Sequence, residues 1–72
     1  MRTFKSLATQ FEVPEEFLHK LADQGILMYM ELRPNRFADP EEVARALAEH
    51  LKEAQEILGR LIEEAQEMGL YL

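Results

Sequence analysis

The sequence of 72 residues has no cysteine and no tryptophan, and it has only three glycines and three prolines. Without cysteine, the chain can form neither a disulfide framework nor a thiolate site. It also lacks an apolar run long enough to span a membrane, and its N-terminus lacks the apolar core of a signal peptide. We therefore expect a cytoplasmic protein that does not engage a membrane.

The residue groupings of common enzyme classes are missing as well. The sequence contains no glycine-rich phosphate loop, and Ser6 has no base at helical spacing that could activate it. Glu16 and His19 have the spacing of half a metal site in a helical bundle. His50 and Glu53 could supply the other half, but nothing in the sequence brings the two pairs together. We expect no catalytic residue, no metal and no cofactor.

The net charge of −6 is unevenly distributed along the chain. Residues 1–38 carry five basic and five acidic side chains, whereas residues 39–72 carry three basic and nine acidic ones. A DNA-binding chain usually shows a basic patch, so the neutral N-terminal half weakens a nucleic-acid function. The acidic C-terminal half would instead suit a basic protein surface.

The longest pattern in the sequence is an amphipathic repeat in the C-terminal half. Asp39 supplies an N-cap acceptor, Pro40 suits the first helical position, and Glu42 can close a capping box. Gly69 supplies a C-cap, so a single helix from Pro40 to Met68 would be about 43 Å long. Its apolar residues form a heptad seam, made of Ala44, Leu47, Leu51, Ala54, Leu58, Leu61, Ala65, Met68 and Leu72.

This seam predicts that the protein forms a homodimer. One end of the helix can pack on the N-terminal half of its own chain, which leaves the far end in need of a partner. The sequence leaves open whether the paired helices run parallel or antiparallel. The predicted dimerisation residues are Leu51, Ala54, Leu58, Leu61, Ile62, Ala65, Met68 and Leu72.

Residues 1–38 are predicted to form two short helices joined by a turn. Thr3 can cap a first helix that runs to about Gln10. Pro14 interrupts the chain and opens a second helix of residues 14–24, which Gly25 ends in a left-handed conformation. This order is typical of a helix-turn-helix arrangement.

A small hairpin, or wing, is predicted to follow. Residues 26–32 are rich in strand-forming types, residues 33–36 have turn composition, and residues 36–38 can return as a very short strand. Within this hairpin, Met28, Tyr29 and Met30 are interpreted as wing and core residues.

Residues 7–43 resemble the N-terminal part of MerR-type winged helix-turn-helix proteins. The matching fragments are Leu7-Ala8, Val13-Pro14-Glu15-Glu16-Phe17-Leu18, Gly25-Ile26-Leu27 and Asn35-Arg36-Phe37-Ala38-Asp39-Pro40-Glu41-Glu42-Val43. The resemblance implies a DNA-binding fold, and it implies that the heptad helix is a dimerisation helix that pairs antiparallel.

We therefore predict a mostly α protein with one compact domain. Residues 1–38 form the winged helix-turn-helix part with a short β-hairpin wing, and residues 39–72 form the long, coiled-coil-like dimerisation helix.

Two functions follow from the resemblance. The family usually has an arginine and aromatics after the leucine that matches Leu18, whereas this chain continues His19-Lys20-Leu21-Ala22. The leading hypothesis is a dimeric DNA-binding regulator or accessory factor. The alternative is an acidic protein-interaction module, such as a modulator of a J-domain co-chaperone or an inhibitor of a partner protein, because one branch of the family binds protein instead of DNA.

The candidate contact residues follow from helix-turn-helix docking, in which the second helix enters the major groove and the wing touches the backbone. Basic side chains on these elements could neutralise phosphates, and Glu16 or His19 could meet base edges. The competing interpretation is that these are ordinary surface residues. The set is Lys5, Glu16, His19, Lys20, Arg33 and Arg36.

Overall fold

A computed structural model describes residues 1–69, and in this range the chain forms four helices and a three-stranded antiparallel sheet. The chain is mostly α, as predicted. None of the described helices is both long enough and apolar enough to cross a membrane. In chain order the elements are β1 (Arg2–Thr3), α1 (Phe4–Phe11), α2 (Glu15–Asp23), β2 (Met30–Leu32), β3 (Asn35–Ala38), α3 (Pro40–Glu49) and α4 (Leu51–Glu67).

The two N-terminal helices begin and end within a residue or so of the predicted positions. Thr3 caps α1, because its Oγ1 accepts a hydrogen bond from the backbone N–H of Ser6 at 3.1 Å. Pro14 stands just before α2 as its N-cap residue. Gly25 follows α2 with a φ of 76°, the left-handed conformation that its lack of a Cβ permits.

The predicted hairpin is formed by β2 and β3, with Met30 opposite Phe37 and Leu32 opposite Asn35. Its first strand is shorter than predicted, because β2 covers only residues 30–32 of the predicted 26–32. The sequence did not predict β1, whose Arg2 lies opposite Ala38. The strand order is β1-β3-β2, so β3 is the central strand. The wing is therefore tied to the chain's own N-terminus.

The interpretation of residues 28–30 as partly core is wrong, because Met28, Tyr29 and Met30 are all exposed. Side chains alternate between the two faces of a strand. Ala38 is buried in the core, so its neighbour Phe37 and the opposing Met30 lie on the other face of the sheet. The apolar residues 28–30 favour a strand, but they do not indicate which face of the sheet packs on the core.

The predicted single long helix is also wrong, because the chain forms two helices that meet at His50. This residue has φ −122° and ψ 39°, outside the helical region. A straight helix from Pro40 to Glu67 would be about 42 Å long, whereas the longest dimension of the molecule is 34 Å. The bend lets α4 pack on α2, with Ala54, Ile57 and Leu61 buried.

The core lies between the helical pair α1–α2, the inner face of the sheet, and the helices α3 and α4. All of its buried members are apolar, and most of them lie at helical or strand spacing in the sequence. They are Phe4, Leu7, Ala8, Phe17, Leu18, Leu21, Ala22, Ile26, Leu27, Ala38, Val43, Ala46, Ala54, Ile57 and Leu61.

Helix α3 begins where predicted, but its capping differs from the prediction. Asp39 occupies the N-cap position, yet its side chain makes no hydrogen bond to the helix. Its Oδ1 lies 3.4 Å from the N-terminal ammonium of Met1 instead. The capping box is also not formed, because the Glu42 carboxylate accepts the backbone N–H of Met28 at 3.0 Å.

Glu42 and Arg45 instead connect α3 to the segment that leads into the wing. Arg45 Nε donates to Glu42 Oε1 at 2.7 Å, and Arg45 Nη2 donates to the carbonyl oxygen of Ile26 at 3.4 Å. The hydrogen bonds from Arg45, and to a smaller extent that from Met28, lower the pKa of Glu42 to about 2 although burial opposes the shift. Glu42 therefore stays ionised down to acidic pH.

Candidate functional site

The six predicted contact residues do not line one common cavity. His19 lies on the side of α2 that faces the wing, where it lines a cavity with Asn35 and Arg36. Glu16 and Lys20 lie on the side of α2 that faces α4 and line two other cavities there. Glu16 and Lys20 therefore line cavities on the α4 side of the second helix, whereas His19 lines the cavity on its wing side.

Three of the candidates do come together, in what we call the wing notch. This cavity of about 230 Å³ lies between the start of α1, the start of α2 and the tip of the hairpin. Arg33 lies next to it on the hairpin loop, with 90% of its side chain exposed. The notch is lined by Thr3, Phe4, Lys5, Glu15, His19, Pro34, Asn35 and Arg36.

Arg36 holds the wing against α2. Its Nη1 donates to Asp23 Oδ1 at 2.9 Å and its Nε donates to Glu31 Oε1 at 3.2 Å. The guanidinium also lies 4.8 Å from the centre of the Tyr29 ring, within the range of a cation–π contact. Only 22% of the Arg36 side chain is exposed. The Arg36 guanidinium therefore binds residues of its own chain.

The hydrogen bonds of this cluster shift the pKa values of its members in opposite directions. Asp23, followed by Glu31, raises the pKa of Arg36. Arg36, followed by Arg33, lowers the pKa of Glu31. Glu31 and Arg36 each stabilise the ionised form of the other, so this pair is ionised over the whole neutral range.

Other candidates are also paired with acids. Arg33 Nε donates to Glu31 Oε2 at 3.2 Å, and Lys20 Nζ lies 4.0 Å from Glu16 Oε1. His19 Nε2 lies 3.1 Å from Glu15 Oε2, and its ring packs 4.9 Å from that of Phe4. In and around the notch the three basic side chains of Lys5, Arg33 and Arg36 are matched by the three acidic side chains of Glu15, Asp23 and Glu31.

A basic surface without acidic lining residues lies beside the notch, on β1 and α1. Arg2 and Lys5 supply its charge, and hydroxyl and amide groups supply the rest of its polar atoms. Arg2 Nη1 donates to Gln10 Oε1 at 3.4 Å. Sequence reasoning missed Arg2, because β1 was not predicted. The surface is lined by Arg2, Thr3, Lys5, Ser6, Thr9 and Gln10.

An apolar cavity, which we call the α4 groove, lies where the C-terminal half of α4 passes the start of α2. It has a volume of about 540 Å³. Its apolar lining residues differ in exposure: Leu61 is 8% exposed, Ile62 is 39% exposed, and Met68, just after the end of α4, is 73% exposed. The groove is lined by Pro14, Glu16, Leu61, Ile62, Glu64, Ala65 and Met68.

The predicted dimerisation residues fall into two groups. Ala54 and Leu61 are buried in the core of their own chain, and Leu58 is half-buried against that core. Leu51, Ile62 and Met68 are exposed, and Ala65 is half-buried. Leu72 lies outside the described residues. Part of the seam is therefore used in the core of the monomer. The homodimer stays a prediction, and it rests on the seam residues that are exposed or half-buried.

Acidic side chains surround the α4 groove. Glu16 of α2 and Glu64 of α4 are among its lining residues. Helix α4 as a whole carries five acidic residues against two basic ones, so its exposed face has a negative potential. The acids of α4 are Glu53, Glu56, Glu63, Glu64 and Glu67, and its basic residues are Lys52 and Arg60.

Metal ligation finds no support in the part of the chain that the structure describes, where no three His, Asp or Glu side chains come together around a common point. Glu16 and His19, the pair with ligand spacing, line different cavities.

Comparison of the chain with protein-family models, with curated proteins and with solved structures gives no match. The function therefore has to be argued from the surfaces themselves.

Proposed function

We propose that the protein is a small protein-interaction module that binds a basic partner through the acidic surface of α4. The observation that carries this proposal is the distribution of charge. The net charge of −6 resides in residues 39–72, and α4 holds five acids on a largely exposed helix. Complementary charge between partners speeds their association and disfavours wrong partners.

The ion pairs of the wing argue against phosphate binding as the main function. Phosphate neutralisation requires lysine and arginine side chains that can reach the backbone. Arg36 would have to leave Asp23 and Glu31 to do so. Glu15, which lines the notch, and Asp23, which pairs with Arg36, would then be brought close to the negatively charged DNA.

In this proposal the N-terminal part is a MerR-like winged helix-turn-helix that serves as a scaffold. Helices α1 and α2 are joined by three residues, and the hairpin of β2 and β3 leads into α3. This part supplies the core on which α4 packs. The resemblance implies two partner classes for such a module, a J-domain co-chaperone or a protein that it inhibits.

DNA binding is the second candidate, and one observation favours it. Arg2 and Lys5 form a basic surface without acidic lining residues next to the wing notch, and Arg33 is exposed on the hairpin loop. A duplex that touched these three residues would meet the fold on the side where helix-turn-helix proteins dock.

Site-specific photo-crosslinking in the source cells separates the two candidates. A photoreactive amino acid replaces Glu56 on α4 in one variant and Arg33 on the wing in the other. We expect the α4 variant to crosslink one protein in stoichiometric yield. The wing variant should give a much lower yield of the same crosslinked protein. Nucleic acid crosslinked from position 33, with no protein product from position 56, would overturn the proposal.

A further inference from the structure

We propose that the α4 groove binds a basic amphipathic helix of a partner protein. The apolar face of that helix would lie between Pro14 and Met68, and its lysine or arginine side chains would meet Glu16 and Glu64. This inference rests on the proposed function and names the partner chemistry that the same surface recognises.

The floor of the groove supplies the apolar part of the site. Leu61 is buried at its base, whereas Ile62 and Met68 expose 39% and 73% of their surface to solvent. Ala65 adds little bulk between them, which leaves room above the helix. A cavity of about 540 Å³ has the size of established ligand-binding clefts and can hold several aliphatic side chains.

The rim of the groove supplies the polar part. Glu16 stands on the α2 side and Glu64 on the α4 side, so acids flank the apolar floor from both helices. The Glu16 side chain is 66% exposed, and its nearest cation, Lys20, lies at the outer limit of an ion pair at 4.0 Å. An occupant that presents cations on both sides of an apolar stripe would complement these charges.

The shape of the groove favours a helix over an extended segment. The lining residues of α4 are Leu61, Ile62, Glu64 and Ala65, and with Met68, its C-cap, they follow about two helical turns. Among residues 1–69, no strand residue lines the groove. Helices that dock in such grooves do so through anchors at i, i+3 or i+4, and i+7, which match a groove of this length.

A second copy of this chain is the less favourable occupant, because its α4 carries the same five acids and two bases. Pairing two α4 helices would place one net acidic helix against another, beside the acidic residues Glu16 and Glu64 of the groove. Like charges placed together across an interface disfavour association. The charge therefore favours a basic partner over a second copy as the occupant of the groove.

The test uses a fluorescein-labelled peptide of 18 residues whose leucines recur at i, i+3 or i+4, and i+7, with lysines on both sides of that stripe. Two matched peptides serve as controls. One has the same composition with the leucine stripe scrambled, and the other has glutamate in place of every lysine. Binding to the full-length protein is followed by fluorescence anisotropy at low salt, and we expect only the first peptide to bind tightly.

Paired variants of the protein locate the binding site. We expect Ile62→Ser and Glu64→Lys each to weaken binding of the first peptide about tenfold, as for anchor residues of an interface. Leu51→Ser and Glu53→Lys make the same chemical changes on α4 outside the groove, and we expect less than about a twofold effect from either. Ala65→Glu, which places bulk and charge in the groove, provides a further variant, and circular dichroism checks that all variants fold.

The outcomes distinguish this inference from the proposed function. If Glu53→Lys weakens binding as much as Glu64→Lys and Ile62→Ser has no effect, the peptide binds the acidic face outside the groove, and only this inference is overturned. If neither the first peptide nor the scrambled peptide binds at low salt, both this inference and the proposed function fail. If sedimentation of the free protein shows a dimer that Ile62→Ser dissociates, a second copy occupies the groove and the inference is overturned.

Discussion

The guanidinium group of Arg36 bridges two acids on different elements, Asp23 at the end of α2 and Glu31 on β2, at distances of 2.9 and 3.2 Å. The sequence predicts this arginine as a phosphate contact at the tip of the wing. In the folded chain it connects the hairpin to the second helix. This relationship explains how a very short hairpin keeps a defined position.

Arg36→Met should therefore lower the midpoint of thermal unfolding, because Asp23 and Glu31 lose their shared cation. Arg33→Met is the matched control, since Arg33 is 90% exposed and pairs only with Glu31 among the described residues. We expect a clearly smaller change for the control. Equal midpoints for both variants, measured by circular dichroism, would mean that the bridge does not stabilise the wing.

Glu42 predicts a specific pH dependence of stability. Its pKa in the folded chain is about 2, below the ordinary value of 4.5, so its contribution is complete above about pH 4.5 and is lost as the pH falls towards 2. Glu42→Gln should cost on the order of 1 kcal/mol at pH 7. Urea unfolding from pH 7 to pH 2 should show the two proteins converging at the acidic end. A difference that stays constant with pH would contradict the predicted pKa.

Packing of α4 on its own chain predicts different effects for two neighbouring residues. Leu61→Ala should lower the free energy of unfolding by about 2–5 kcal/mol, because the residue is buried in the core. Ile62→Ala should cost less than about 1 kcal/mol, because the side chain is partly exposed. Urea titration at two protein concentrations is the measurement. A Leu61→Ala effect that appears only at high concentration would show that Leu61 packs in a dimer.

The helix caps predict another contrast. Thr3→Ala should cost about 1 kcal/mol, because Thr3 Oγ1 accepts the Ser6 N–H. Asp39→Ala should cost less than about 0.5 kcal/mol, because Asp39 makes only an exposed ion pair with the N-terminus. Thermal unfolding of both variants is the measurement, and a larger effect for Asp39→Ala would show that its carboxylate caps α3 in solution.

Much of the local structure could be predicted from the sequence, because its signals are local. Thr3, Pro14, Gly25 and Pro40 mark helix boundaries through their own conformational and hydrogen-bonding preferences. The 3.6-residue periodicity identifies the buried faces of the helices. These features do not depend on how the elements pack.

The errors arise where packing over a distance decides the structure. No glycine or proline marks the break at His50, which arises because a straight helix would carry Ala54 and Ile57 past the small core. β1 contains only two residues, Arg2 and Thr3, and it pairs with the edge of β3 that β2 leaves open. Neither feature has a signal in its own residues.

The candidate contact residues show the same limit. The sequence places Arg36 on the wing and Asp23 on α2, but only the fold brings them within hydrogen-bonding distance. The spacing of Glu16, His19 and Lys20 puts them on one helix without showing that they line different cavities. Pairwise neutralisation of charge is a tertiary property, so a count of basic residues could not predict it.

The central claim is that the protein binds a protein partner and not DNA. Fluorescence anisotropy tests this claim most directly, with a labelled mixed-sequence duplex titrated with the wild-type protein at low salt. We predict no saturable binding, because the basic residues of the wing are matched by acids. Saturable binding that weakens with salt, with a log–log slope of about −0.9 per phosphate contact, and that loses about one unit of slope in Arg33→Ala, would contradict the claim.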